Sequence, residues 1–152
     1  MKTIHRDVVA AMIFSADGKL LMARQNPKSG GVYIDCWHIP GGGVEEGETK
    51  TEAMIREIKE ELSFDVSSYG MVLVDEDGSD IAEKTMKDTG ERVLAHMKFS
   101  IYKIVIADKK SDQIIITLDE ELGEYRWFTL EEIKTVKLTP PSVVLFKKFG
   151  YI

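Results

Sequence analysis

The chain has 152 residues, of which 43% are hydrophobic and 30% charged, and its formal net charge is −6 at pH 7. This length fits a single domain, residues 1–152, with a substantial core. The acidic balance argues against a broad nucleic-acid-binding surface, no apolar run reaches membrane-spanning length, and the first residues lack the apolar segment of a secretory signal. A lone cysteine, Cys36, excludes an internal disulfide and fits a reducing, cytoplasmic setting.

The first part of the chain predicts strands, a surface loop and one clear helix. Val8 to Phe14 and Leu20 to Met22 are apolar strands joined by an Asp-Gly turn. Residues 25–35 contain Asn-Pro and Gly-Gly pairs, which predict a surface loop. Trp37 to Ile39 is a candidate for a short strand, which would end at the proline and three glycines that follow it. Thr49 to Leu62 begins with hydroxyl and acidic residues and carries an apolar stripe, so it is predicted as a helix.

The second part alternates β-prone and polar segments. Four apolar, β-prone segments predict strands: Tyr69 to Val74, Arg92 to Ile106, Ile114 to Ile116 and Tyr125 to Phe128. The polar stretch Asp75 to Gly90 predicts a long loop. Short helices are predicted at Leu130 to Ile133 and at Thr139 to Phe149, where two prolines begin the helix and Gly150 ends it. Strands with interspersed helices predict an α+β fold, an αβα sandwich around a mixed β-sheet.

Three glutamates cluster on the predicted helix after Thr49. At about 100° per residue, Glu57, Glu60 and Glu61 fall within roughly one 100° arc. Like charges at these spacings cost an isolated helix a few tenths of a kcal/mol per pair. Clustered carboxylate oxygens are what Mg²⁺ or Mn²⁺ requires. Taken alone, however, the cluster favours a solvated acidic helix face.

The segment before the helix changes this interpretation. The run Pro40-Gly41-Gly42-Gly43 can bend the backbone and bring carbonyl groups close to a bound ion. Glu48 lies eight residues before Arg56, and an ion pair between them would lock the loop to the helix. A glycine turn, a loop carboxylate and a helix with three glutamates together predict a divalent-metal site.

The run Gly42-(five residues)-Glu48-(seven residues)-Arg56-Glu57-Ile58-Lys59-Glu60-Glu61-Leu62-Ser63-Phe64 resembles the signature of the MutT/Nudix family. The family pattern is G, five residues, E, seven residues, R-E-U-x-E-E-x-G-U, where U is bulky and aliphatic. Every fixed residue matches except the last glycine, which is Ser63 here, and Phe64 replaces the final aliphatic residue. That glycine normally ends the helix in a left-handed conformation. The substitution leaves the backbone conformation at the helix end undetermined, but it does not affect the assignment of the metal ligands.

The resemblance implies a Nudix fold and an enzyme that cleaves a diphosphate linkage in a nucleoside diphosphate derivative. The substrate would be a nucleotide sugar such as ADP-ribose, or a nucleoside triphosphate, with water attacking phosphorus. It implies that Glu57, Glu60, Glu61 and the Gly41 carbonyl bind Mg²⁺, with Mn²⁺ as the alternative. Glu57 is also the candidate to orient or deprotonate water.

Two further roles follow from the resemblance. Glu48 and Arg56 form its structural pair. A further acid from a distant loop often acts as base or ligand in the family. The pool here contains the acids shortly before Trp127, which are Asp119, Glu120, Glu121 and Glu124. We favour Glu121 as the additional catalytic residue.

Four residues are candidates for substrate binding: Arg24, Tyr33, Trp37 and His38. Tyr33 and Trp37 could stack on a base, although core packing is an equal alternative for Trp37. His38 adjoins the glycine segment, and Arg24 ends the second strand close to it in sequence. The predicted partner is a nucleotide, with no nucleic acid and no membrane, and the sequence allows a homodimer.

Two other functions compete with hydrolysis. A Nudix-fold sensor that binds a nucleotide without cutting it would be expected to lack signature glutamates, and none is missing here. An isoprenoid diphosphate isomerase could use Cys36 near the site. The Pro40-Gly41-Gly42 approach and the intact glutamates favour the hydrolase over both.

Overall fold

The computed structural model of the protein describes residues 1–29, 33–86 and 88–152. The strands are β1 (Lys2–Ser15), β2 (Leu20–Gln25), β3 (Gly41–Gly43), β4 (Met71–Asp75), β5 (Ser79–Thr85), β6 (Arg92–Ile106) and β7 (Leu122–Phe128). The α-helices are α1 (Lys50–Leu62), α2 (Leu130–Ile133) and α3 (Pro140–Lys148). Short 3-10 turns cover Pro27–Ser29 and Ser111–Gln113. No helix in these ranges is long and apolar enough to cross a membrane.

All the strands belong to one mixed sheet. The main path has the order β4-β6-β1-β2-β7, with β3 paired to β1 and β5 paired to β6. β1 and β6 run parallel along their shared length, and the remaining pairs are antiparallel. Residues 9–13 of β1 are all buried, which is expected of a central strand whose two faces are both covered.

The helices cover the two faces of this sheet. The buried side chains of α1 join one core cluster with β1 and β6, including Met54, Ile58, Leu62, Val9 and Ile104. The other face carries α2 and α3, whose buried side chains pack with Met12, Met22 and Phe128. This layering confirms the predicted α+β fold and its αβα sandwich, and it places the glutamates of α1 directly over the sheet.

Two predictions of secondary structure are wrong. The predicted loop Asp75 to Gly90 contains β5, which pairs along its whole length with β6. Its side chains alternate in exposure at the edge of the sheet, so its polar composition hid the strand. Ile114 to Ile116, predicted as a strand, follows a 3-10 turn and crosses the end of α1. There the Thr117 N–H donates to the Leu62 carbonyl at 3.0 Å.

The segment around the glycines also differs from its prediction. The run Pro40 to Gly43 was expected to be able to bend, but Gly41–Gly43 is extended and pairs with Val8 to Ala10 of β1. Trp37 to Ile39 forms only isolated bridges, Ala23 with His38 and Trp37 with Leu138. Residues 30–32 of the predicted loop 25–35 lie outside the described residues.

Candidate active site

The three-glycine strand β3 forms the floor of the site. Its pairing with β1 is flanked by two hydrogen bonds, from the Ala11 N–H to the Pro40 carbonyl and from the Val44 N–H to the Asp7 carbonyl, both 2.9 Å. An antiparallel ladder alternates between residues that bond to the partner and residues that do not. The backbone groups of Gly41 and Gly43 therefore point away from β1, toward α1.

Glycine is required at this strand because side chains approach it from both faces. A Cβ atom on Gly42 would lie 2.3 Å from Cδ of Glu57. On Gly43 it would lie 2.0 Å from Nη2 of Arg6. No side chain fits at such distances without displacing these groups, so the glycines let the Glu57 carboxyl rest on the backbone of β3.

Both ends of α1 are capped, which fixes the position of its glutamates. The Thr49 hydroxyl accepts from the Glu52 N–H at 3.1 Å, and the Glu52 carboxylate accepts from the Thr49 N–H at 3.2 Å. This reciprocal pair is a capping box. At the other end Ser63 has φ 53° and ψ 36°, and its N–H donates to the Lys59 carbonyl at 3.0 Å. Ser63 thus takes the left-handed conformation expected of the motif glycine.

Arg56 joins the loop, the glycine strand and the glutamates. Its Nε and Nη2 donate to the two oxygens of Glu48 at 2.7 and 2.9 Å, so the predicted ion pair is present and bidentate. Nη2 also donates to the Gly43 carbonyl at 3.0 Å. Nη1 donates to Glu57 at 2.9 Å and to Glu60 at 3.2 Å. The Arg56 hydrogen bonds lower the pKa of Glu48 to about 2, and they raise the pKa of Arg56.

Glu61 is the most confined carboxyl of the site. Its Oε2 atom is buried and has no hydrogen-bond partner in the described part of the chain. Burial raises the pKa of Glu61 well above its usual value, and the neighbouring charges of Glu57 and Asp119 raise it further. The Gly41 N–H opposes them by stabilising the ionised form. Two carboxyls therefore lie close together against β3, that of Glu57 over Gly42 and that of Glu61 at the Gly41 N–H.

Most of the chain matches a known protein family. The family model described as NUDIX domain matches residues 4–149. The chain belongs to the Nudix family. The resemblance in the signature is thereby confirmed, and the chain is a Nudix hydrolase with the fold of that family.

Alignments with individual relatives extend over most of this Nudix hydrolase. Nucleoside triphosphatase NudI of Enterobacter sp. (strain 638) is 30% identical over 151 residues, 97% of this chain and 99% of its own. RNA pyrophosphohydrolase of Rickettsia bellii is 27% identical and covers 87% of this chain and 80% of its own. The MutT protein from Methanosarcina mazei superposes with a TM-score of 0.64 at 25% identity, covering 99% of this chain and 96% of that one.

A further structural neighbour was solved with ADP ribose bound. The Nudix domain of Shewanella oneidensis NrtR, complexed with ADP ribose, has a TM-score of 0.64 to this chain at 13% identity, covering 97% of this chain and 87% of that one. At that identity the likeness concerns the fold alone.

The oxygen atoms at the floor of this Nudix site fit a divalent cation. The unpartnered Glu61 oxygen, the adjacent Glu57 carboxyl and the outward-facing Gly41 carbonyl are hard donors of the kind Mg²⁺ prefers. Glu60 is instead turned to Arg56, with 58% of its side chain exposed. Within the described ranges no group of three or more His, Cys, Asp or Glu side chains is already arranged around a metal position. Glu60 would therefore have to leave Arg56 to join the other ligands.

Asp119, another acid of the predicted pool, lies beside Glu61, and the catalytic role of Glu121 stays a prediction. Asp119 acts electrostatically on Glu61, and its N–H donates to the Glu61 carbonyl at 3.1 Å. Glu121 is exposed, and its own N–H donates to Oδ1 of Asp119 at 3.2 Å. Glu124 is paired with Arg24. Asp119 was in the predicted pool. Its closeness to Glu61 depends on how residues 117–119 cross the end of α1, and sequence spacing does not encode that crossing.

The four predicted substrate-binding residues lie in different environments. Trp37 is only 5% exposed and packs edge-on against Phe128, with ring centroids 5.0 Å apart, which is the core alternative. The Arg24 guanidinium carbon lies 4.8 Å from the centroid of the Trp37 ring. Tyr33 is exposed. His38 places Nδ1 2.9 Å from the Ile39 carbonyl, and burial lowers its pKa, so its buried Nε2 is an acceptor without a partner among the described residues.

Proposed function

We propose that this Nudix hydrolase cleaves a phosphoric anhydride bond of a nucleoside triphosphate by attack of water at phosphorus. The ligands of the required Mg²⁺ or Mn²⁺ would be Glu57, Glu60, Glu61 and the Gly41 carbonyl. The observation that carries the proposal is the closeness of the Glu57 and Glu61 carboxyls against β3, with a buried Glu61 oxygen that has no partner among the described residues. Such an arrangement is costly without a cation to complete it.

The choice of substrate class rests on the relatives. A relative that matches this chain from end to end is named a nucleoside triphosphatase. ADP-ribose and other nucleotide sugars remain the second class, because a structural neighbour binds ADP ribose. That neighbour shares only the fold, so it supports the second class less than the full-length relative supports the first.

The chain's own residues would prepare the reaction. Arg56 holds the Glu57 carboxylate through Nη1, and Gly42 leaves room for it against β3. From this position Glu57 would orient water and accept its proton. A divalent cation bound to these oxygens would supply charge that offsets the phosphates and would lower the pKa of water. Asp119, beside Glu61, is a second carboxylate within the electrostatic reach of the site.

A substrate panel tests this function. The purified protein would be assayed with Mg²⁺ on nucleoside triphosphates, ADP-ribose and a dinucleoside polyphosphate, scoring phosphate, pyrophosphate and nucleoside monophosphate. We expect the triphosphates to be preferred and chelator to abolish turnover. Full turnover in excess chelator would contradict the metal requirement, and preferential cleavage of ADP-ribose would contradict the substrate class.

Glutamine variants test the assigned carboxylates. We expect Glu57→Gln and Glu60→Gln to lower kcat by about 10²-fold or more while the circular dichroism spectrum stays unchanged. Glu91→Gln is the matched control, because Glu91 is an exposed glutamate just before β6. Normal turnover by the first two variants, or unfolding of both, would show that these acids are structural. A catalytically silent sensor would show no turnover even before substitution.

A further inference from the structure

Arg6 of β1 has no role in the site described above. Its guanidinium lies against the glycine strand, at the place where a Cβ on Gly43 would be 2.0 Å from Nη2 and 2.8 Å from Cζ. Arg6 is half-buried, and within the described chain it makes no hydrogen bond or ion pair. A partly desolvated charge without a partner costs free energy, and an anionic ligand would remove that cost.

Arg6 opens onto a cleft of about 500 Å³ at the beginnings of β1 and β6. The connection between β4 and β5, residues 76–78, closes one side of it. Lys98 lines the same cleft, as do the neighbouring rings of His5 and His96, whose centroids are 5.1 Å apart. The cleft is large enough for several phosphate groups and carries donors on two strands.

The acids of the cleft do not neutralise Arg6. Three carboxylates line it, those of Asp7, Glu76 and Asp77. Asp77 is bound by Lys148 at 2.9 Å, and Glu76 lies 3.9 Å from Lys50. Asp7 stands opposite Lys98 in the register of β1 and β6. Two of the three acids thus have a cation near them, and none of the three forms an ion pair with Arg6 among the described residues.

The glycine strand connects this cleft to the proposed metal site. Successive residues of a strand face opposite sides, so Gly42 meets Glu57 on one face and Gly43 meets Arg6 on the other. Because β3 has no side chains, only its backbone lies between the Glu57 carboxyl and the Arg6 guanidinium. Arg56 of α1 borders the other edge of β3 through its hydrogen bond to the Gly43 carbonyl, and no second strand of the described residues pairs with that edge. Gly43 lies about 7 Å along the strand from Gly41, which is two strand residues.

We propose that Arg6 binds a phosphate of the nucleoside triphosphate that neighbours the one attacked. It would be a specificity-determining residue that selects substrates with a further anionic phosphate on the Arg6 side of β3. This inference rests on the proposed function for the identity of the substrate. The binding of polyphosphate by Arg6 can be measured without turnover.

Titration calorimetry of the metal-free protein with inorganic tripolyphosphate tests the binding step. We expect wild type to bind, Arg6→Gln to weaken binding by about tenfold or more, and Arg6→Lys to retain part of it. Arg126→Gln is the control, since Arg126 is an exposed arginine paired with Glu132, and it should bind as wild type. Absence of binding by wild type, or equal binding by Arg6→Gln, would overturn the proposal.

Steady-state kinetics separate substrate binding from folding. Arg6→Gln should raise KM for the triphosphate about tenfold while kcat stays within about threefold. Gly43→Ala keeps the Arg6 charge but pushes its guanidinium aside, so it should raise KM as well. A fall in kcat with unchanged KM would contradict a binding role. If wild type hydrolyses no triphosphate, the proposed function fails, whereas the tripolyphosphate measurement still decides the role of Arg6.

Discussion

At the residue scale, the guanidinium of Arg56 explains the spacing of the signature. Glu48 is too far along the chain to be a neighbour on the helix surface, yet it meets Arg56 because residues 45–48 form a tight turn. Within that turn the Glu45 N–H donates to Oε1 of Glu48 at 3.0 Å. The same guanidinium binds the Gly43 carbonyl and Glu57. Displacing Arg56 would therefore loosen the strand and a proposed metal ligand together.

A double-mutant cycle with Glu48→Gln and Arg56→Gln tests this coupling. Chemical denaturation should show clear non-additivity in the free energy of unfolding, because either single change leaves a partly buried charge without its bidentate partner. The same cycle in kcat/KM should also be non-additive, since Arg56 orients Glu57. Additivity in both quantities would mean that the pair does not act as a unit.

The stability contributed by the Glu48–Arg56 ion pair should depend on pH. Arg56 holds the pKa of Glu48 in the folded protein at about 2, below its usual 4.5. Because the pKa of Glu48 is lower in the folded protein than in the unfolded chain, the stabilisation by its ion pair with Arg56 is fully present above pH 4.5. This stabilisation is lost as the pH falls toward 2. The stability difference between wild type and Glu48→Gln should therefore shrink across this window. A constant difference would contradict the assignment.

Residue contacts were predictable from sequence only where a motif spacing encodes them. The positions of Glu48, Arg56 and Glu57 follow from their spacing in the signature. The nearness of Asp119 to Glu61 and the position of Arg6 on Gly43 depend on packing between distant segments. No periodicity or spacing in one sequence reports such contacts.

At the element scale, the helix α1 and the long strand β6 were predicted well and the edge elements poorly. An apolar stripe or a β-branched run marks an element that is buried on at least one face. β5 lies at an edge with polar side chains, so its composition resembled a loop. Ile114 and Ile116 are apolar because they cover the core under α1, not because they form a strand. Three glycines suggested a bend, but β3 needs them for the close approach of Glu57 and Arg6.

Ser63→Gly tests the end of α1. The backbone of Ser63 is left-handed, with φ 53°. This conformation strains a residue that has a side chain but does not strain glycine. The substitution should stabilise the protein by about 0.5–1 kcal/mol in chemical denaturation. Ser68→Gly is the control, because Ser68 is an exposed serine without a positive φ, and it should be neutral or destabilising. Destabilisation by Ser63→Gly of more than about 1 kcal/mol would contradict the left-handed cap.

At the scale of the whole molecule, the fold concentrates negative charge at one place in a chain whose net charge is already −6. The sandwich holds α1 over β3 through buried apolar side chains such as Ile58 and Leu62. Because that packing fixes the helix, the Glu57 and Glu61 carboxyls stay close together, and burial with this closeness raises the pKa of Glu61. Ionising Glu61 in the metal-free protein is therefore unfavourable, and a bound cation would offset that cost.

Thermal unfolding with and without Mg²⁺ or Mn²⁺ measures how much a bound cation stabilises the folded protein. A cation that binds only the folded protein adds about 2.7 kcal/mol at a hundredfold excess over Kd, or about 5–10 °C in Tm for a chain of this size. Glu61→Gln should raise the Tm of the metal-free protein, because it removes a buried acid that is crowded by Glu57. The same variant should lose most of the cation-induced shift. Glu91→Gln, in which only an exposed glutamate changes, should keep the full shift. If Glu61→Gln lowers the metal-free Tm and keeps the full shift, the two carboxyls neither repel each other nor bind the cation.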